Sequence, residues 1–173
     1  MPECLDLLGQ IKPKLAQVFF TEQTVLITAS SGTGLWEAAA RNLVNKKVLT
    51  CVNGAFAERF SDVAEMNGKA IEVLSAPWGQ PILPEQVVER LATGEFDAVS
   101  IVHNETSTGV TSPIRDIAQA IRALPNGQDI MILVDSVSGL AGARIEMDAW
   151  DLDMVLASSQ KAFALPPGLA FCA

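Results

Sequence analysis

Asp135 follows the apolar run Ile130-Met131-Ile132-Leu133-Val134, so a carboxylate there is expected to be buried or nearly so. To stay ionised it needs a cation or hydrogen-bond donors. A buried strand-end aspartate serves a cation, a metal or a protonated ring nitrogen. Lys161 closes the run Ser158-Ser159-Gln160-Lys161 and precedes AFALPPG. Beside apolar Ala162, Phe163 and Leu165 its amine would be partly desolvated, which lowers a lysine pKa and frees the neutral amine as a nucleophile. The competing reading is an ordinary surface lysine.

Three further strand-to-helix junctions carry chemistry. VLITAS leads into Ser31-Gly32-Thr33-Gly34 and then a helical pattern. Small residues at a helix start let backbone N–H groups approach an anion, and hydroxyls add donors. A phosphate cradle and a capped tight turn both fit this stretch. It is neither a Walker motif nor a GxGxxG. KVLTCV leads into Asn53-Gly54-Ala55-Phe56, where the aromatic either stacks on a flat ring or joins the core. AVSIVHN leads into Glu105-Thr106-Ser107-Thr108-Gly109, whose hydroxyls either contact a ligand oxygen or cap a helix. An anion cradle, a stacking aromatic, a carboxylate for a pyridinium nitrogen and a reactive lysine together form the set that pyridoxal phosphate requires.

Composition narrows the alternatives. Twelve Lys and Arg against twenty Asp and Glu in 173 residues give a formal net charge of −8. The basic residues are scattered, which argues against nucleic acid. With 49% hydrophobic and 18% charged residues the chain reads as globular and rich in core. No apolar run reaches membrane-spanning length. The start, MPECLDLLGQIKPK, lacks signal-peptide order, so a reducing cytoplasm is the expected location. Cys4, Cys51 and Cys172 have no metal-ligand or redox spacing, which argues against a zinc site or a disulfide framework. The single His103 reads as a structural strand-end residue, and tyrosine is absent.

The elements that must position these residues alternate. Apolar runs at 25–30, 47–52, 70–76, 98–104, 130–137, 153–159 and 169–173 read as strands. Most are rich in β-branched residues or leucine without alternation, as in strands covered on both faces. Segments 35–44, 57–68, 84–94 and 113–124 read as helices, with Pro84 and Pro113 in first turns and Gly68 and Gly94 at stops. An opening helix with Leu5, Leu8, Ile11, Leu15, Val18 and Phe19 near one face is expected to kink at Pro13. The pattern predicts an α/β fold with a mainly parallel sheet and helices on both faces. An apolar strand as the last five residues reads as a chain cut from something longer.

The stretches SGTGLWEAAARN, VNGAFAERF, HNETSTGV and VDSVSGLAGARIEMDAWDLDMVLASSQKAFALPPGLAF closely resemble class V pyridoxal-phosphate-dependent aminotransferases of the serine–glyoxylate and alanine–glyoxylate type. PWGQP resembles the cyanobacterial members once labelled soluble hydrogenase subunits. The likeness runs in the family's order over essentially the whole chain. It implies the large cofactor-binding domain of the fold type I superfamily, present in part over residues 1–173, without the N-terminal arm or the C-terminal small domain.

The resemblance further implies a role for each residue. Lys161 would form the Schiff base and shuttle the proton, and Asp135 would pair with the ring nitrogen. Phe56 would stack on the ring and Val137 pack under it. Ser31, Gly32, Thr33 and Gln160 would hold the phosphate, and Thr106 would contact the ring's 3′-oxygen. The implied reaction moves an amino group from serine or alanine to glyoxylate or pyruvate, in a homodimer when full-length. The arginine that grips the substrate carboxylate is expected in the missing region, so this chain alone is expected to turn over little. Two other readings remain: a second class V activity such as a lyase or desulfurase, and a non-catalytic α/β module that binds a phosphate ligand through SGTG.

Overall fold

The computed structural model describes residues 2–173. Helix α1 (Pro2–Phe19) leads into strand β1 (Leu26–Ala29). Then follow α2 (Gly32–Leu43), β2 (Lys47–Val52), α3 (Ala55–Met66), β3 (Ala70–Ser75), α4 (Pro84–Leu91) and β4 (Ala98–Val102). A small hairpin, β5 (Asn104–Glu105) and β6 (Val110–Thr111), precedes α5 (Ile114–Arg122). The chain ends with β7 (Met131–Asp135), β8 (Met154–Ser158) and β9 (Leu169–Cys172). Among the described residues no helix is long and apolar enough to cross a membrane.

Seven strands form one sheet in the order β1-β9-β8-β7-β4-β2-β3. The pairs β2–β3, β2–β4, β4–β7 and β7–β8 are parallel, as the unalternating apolar runs predicted. Every residue of β4 and β8 is buried, since both faces are covered. On one face Leu49, Val99, Ile132 and Val155 pack with Phe19 of α1, Val87 of α4 and Ile117 of α5. On the other Val48, Ala98, Leu133 and Leu156 pack with Leu35 and Ala39 of α2 and Phe60 of α3.

The terminal strand β9 runs antiparallel to both neighbours, Leu156 facing Cys172 in β8 and Leu26 facing Cys172 in β1. Residues 159–168 contain no helix, and a parallel return needs a crossover of about a dozen residues or more, so the chain can only fold straight back. The last strand is therefore an interior bridge that joins β1 to the sheet.

Helix α1 spans Pro13 as one element, and the carbonyl that Pro13 leaves unpaired belongs to exposed Gly9, where it can be hydrated. Other departures have local causes. Strand β7 stops at Asp135 rather than 137, because the Asp135 carboxylate takes the Val137 N–H at 2.7 Å and turns the backbone out of the ladder. Helix α2 begins at Gly32, inside the SGTG stretch, since Ser31 caps it. Pro113 is the cap residue before α5 rather than a member of its first turn. Gly68 has φ +76° just beyond α3, the left-handed stop that glycine permits.

Candidate active site

The carboxyl ends of β4, β7 and β8 and the starts of α2 and α3 enclose a cleft of about 210 Å³. Ser31, Gly32, Thr33, Phe56, Thr106, Asp135, Val137, Gln160 and Lys161 all line it. These are the nine residues singled out from the sequence, drawn from five separate junctions. Open α/β sheets place ligands at this edge.

Asp135 ends β7 with only 3% of its surface exposed. Its Oδ1 accepts the Val137 N–H at 2.7 Å, and its Oδ2 accepts the Trp36 Nε1–H at 2.7 Å. Burial pushes its pKa up to about 6, opposed by the two N–H donors and Lys161 and reinforced by Glu105. Lys161 is half-buried beyond β8, with Nζ 5.8 Å from the centre of the Phe56 ring. It is the only cation lining the cleft among the described residues.

Ser31 is in extended conformation, and its Oγ accepts the Gly34 N–H at 3.4 Å. The following turn leaves its first N–H groups without helical partners, as every helix start does. Gly32 packs tightly here: a Cβ would sit 2.7 Å from Val137 Cγ2, so a larger residue would have to displace that side chain. Opposite, the Ser158 Oγ is fully buried without a hydrogen-bond partner. The Thr106 and Ser138 hydroxyls are hydrogen-bonded to each other.

Three groups escaped the sequence reading. Trp36 reads as one apolar position of a helix, yet its indole N–H reaches the Asp135 carboxylate. Its ring stacks on Phe60 at 5.6 Å and 14°. Glu105 has no exposed surface and accepts from the N–H of Ala57 (2.9 Å), Phe56 (3.4 Å) and Ser107 (3.0 Å) and from Ser107 Oγ (2.7 Å). It thereby caps α3 and fixes Phe56. Ser158 lay within the quoted SSQK run without a role. The one available signal was its place at a strand end, three residues before Lys161.

His103 is buried behind the cleft, with Nδ1 3.0 Å from Ser136 Oγ. Burial lowers its pKa and keeps it neutral. Cys51 and Cys172 are buried and Cys4 is exposed, and none of them lines the cleft. Among the described residues no group of three or more His, Cys, Asp or Glu is arranged to hold a metal.

A mainly parallel sheet with helices on both faces and a lysine and an aspartate in one cleft at its carboxyl edge defines a class of α/β protein. Comparison with known proteins makes it specific. The family model for aminotransferase class-V matches residues 3–172. The chain is 39% identical over 156 residues to the small subunit of a soluble hydrogenase from Synechococcus, covering 87% of this chain and 40% of that protein. It is 38% identical over 154 residues to serine–glyoxylate aminotransferase of Methylorubrum extorquens, covering 86% and 38%. The crystal structure of alanine–glyoxylate aminotransferase from Nostoc superposes with a TM-score of 0.92 at 31% identity, over 100% of this chain and 46% of that one. The chain belongs to the class V aminotransferase family, and it spans less than half the length of these relatives.

Proposed function

We propose that this chain is the pyridoxal-phosphate-binding core of an aminotransferase that moves an amino group from a small amino acid, serine or alanine, to glyoxylate or pyruvate. The observation that carries the reading is that Asp135, Lys161 and the Ser31-Gly32-Thr33 turn line one cleft. The donor set suits the cofactor. A helix start with Ser31 and Thr33, the unpartnered Ser158 hydroxyl and Gln160 offer donors to a phosphate. Phe56 and Val137 offer two apolar surfaces to a flat ring, Thr106 offers a hydroxyl to its oxygen, and Asp135 offers a carboxylate to a cationic nitrogen.

Pyridoxal phosphate, when bound, supplies an aldehyde and a ring that withdraws charge from a substrate α-carbon. The protein's part is to hold and to move protons. Asp135 keeps a negative charge where a ring proton must be retained, and the Val137 and Trp36 N–H groups hold its two oxygens in place. Lys161 Nζ would hold the aldehyde end of the cofactor, and its free amine would serve as the base that takes and returns a proton at the substrate α-carbon. Phe56 and Val137 would shield a bound ring from water.

Among the described residues no arginine lines the cleft, so no substrate-carboxylate residue is assigned here. The longer relatives, whose printed names include serine–glyoxylate and alanine–glyoxylate aminotransferases, support the substrate class. A homodimer of the longer protein and a cytoplasmic location belong to the same reading; the three free thiols suit a reducing compartment. Among the described residues no cysteine lines the cleft.

Thermal unfolding tests the proposal. A ligand bound only by the folded chain raises the melting temperature. Pyridoxal phosphate is expected to raise it saturably in the wild type and much less in Asp135→Ala. No saturable rise in the wild type would overturn the reading.

A further inference from the structure

Trp36 lies one turn into α2 and is 3% exposed. An indole has a single polar atom, its Nε1–H, and any buried acceptor would satisfy it. Here the acceptor is Asp135 Oδ2 at 2.7 Å, and both residues line the cleft. Stacking against Phe60 fixes the indole plane, so the N–H is held in one direction. Val137 N–H occupies the other oxygen. A carboxylate has about four acceptor positions, so one lone pair per oxygen stays free for a ligand donor.

We infer that Trp36 is a positioning residue for Asp135: its indole N–H fixes the carboxylate and holds it in the charged form that the cleft presents to a cationic ring nitrogen. The inference rests on the proposed cofactor reading and deepens it.

The groups facing Asp135 set the balance that Trp36 tips. Glu105 from the β5–β6 hairpin and burial itself favour the neutral acid, while Val137 N–H, Trp36 from α2 and Lys161 beyond β8 favour the anion. His103, whose backbone N–H donates to the Asp135 carbonyl at 2.8 Å, is held neutral by burial and adds no charge. Removing the indole N–H leaves one donor and one cation against burial and Glu105. The carboxyl group then keeps its proton to higher pH, and a cationic ligand binds less well at neutral pH.

The first measurement needs no cofactor. A nitrogen-15 spectrum of the full chain contains indole N–H signals from Trp36, Trp78 and Trp150. Trp78→Phe and Trp150→Phe assign two of them and leave the third to Trp36. The Trp36 signal is expected to shift between about pH 4.5 and about pH 8 with one midpoint, and to stay flat in Asp135→Asn. A Trp36 signal that does not move in the wild type would overturn the inference even if Trp36→Phe fails to fold.

The second measurement is pyridoxal phosphate affinity against pH by equilibrium dialysis. Trp36→Phe is expected to bind about tenfold more weakly near neutrality and to approach wild type by about pH 8.5, a shape that a general packing defect would not produce. Wild-type binding with an unshifted profile in Trp36→Phe would overturn this inference alone. No binding by the wild type would overturn the cofactor reading and this inference with it.

Discussion

The Ala57 N–H donates to the fully buried Glu105 carboxylate at 2.9 Å, tying the helix that carries Phe56 to the hairpin that carries Thr106. Gly54 makes room for that carboxylate: a Cβ there would lie 2.7 Å from Glu105 Cδ and 2.6 Å from Ser107 Oγ. Two sides of the cleft thus share one buried anion at a helix N-terminus, where a negative charge is favoured. Glu105→Ala would leave several donors unpaired and is expected to cost about 3 kcal/mol. Glu105→Gln should cost about half as much, since one acceptor oxygen remains. Urea unfolding measures both, and an unchanged midpoint in Glu105→Ala would contradict the account.

Gly32 and Val137 form a second close approach. Gly32→Ala forces its new Cβ against Val137 Cγ2 and is expected to lose about 2 kcal/mol of stability. The same change should weaken pyridoxal phosphate binding, because both residues line the cleft. Val137→Ala should relieve the clash, so the double variant should be more stable than the two single losses sum to. Simple additivity in a double-mutant cycle would argue that the two side chains do not compete for space.

Asp135 makes stability depend on pH in a known direction. Its folded pKa of about 6 lies above the ordinary aspartate value of 3.8, so between those values the folded state holds a proton that the unfolded state has released. The wild type therefore loses stability as pH rises through this window, by about 3 kcal/mol in all, and changes no further above it. Asp135→Asn has no such component. Unfolding free energies at several pH values should show the gap in favour of Asn widening from about pH 4 to about pH 6 and then holding constant. A gap that shrinks as pH rises would contradict the account.

Arg122 supports the fold away from the cleft. It donates to the carbonyls of Gly127 (2.6 Å), Ile130 (2.8 Å) and Asp151 (2.8 Å) and to Asp153 Oδ2 (2.6 Å). Arg122→Ala is expected to cost about 3 kcal/mol by leaving these acceptors unpaired. Pyridoxal phosphate affinity, measured where the variant remains folded, should be unchanged. A large loss of affinity would mean that the cleft depends on this network.

The sheet was legible because its interior strands are covered on both faces, which leaves apolar runs such as AVSIV and MVLAS standing out against amphipathic helices. Asp135 and Lys161 were legible for a related reason, since a carboxylate or an amine beside such a run conflicts with its surroundings. Trp36 and Glu105 carried no such conflict. Trp36 fits the apolar face of its helix, and its partner lies 99 residues away. Glu105 sits among polar neighbours, and one of its donors, the Ala57 N–H, is 48 residues distant. Their roles arise only when the chain closes. The hairpin at 104–111 was hidden because each arm has two residues, too few to show alternation. The antiparallel return of β9 was implicit in the ten residues at 159–168, too few for a crossover helix.

The most direct test of the cofactor assignment is borohydride reduction of the chain with pyridoxal phosphate, followed by peptide mapping. One modified residue, Lys161, is expected, and no cleft adduct in Lys161→Ala. Modification spread over exposed lysines such as Lys12, Lys14 and Lys46, with Lys161 not preferred, would contradict it.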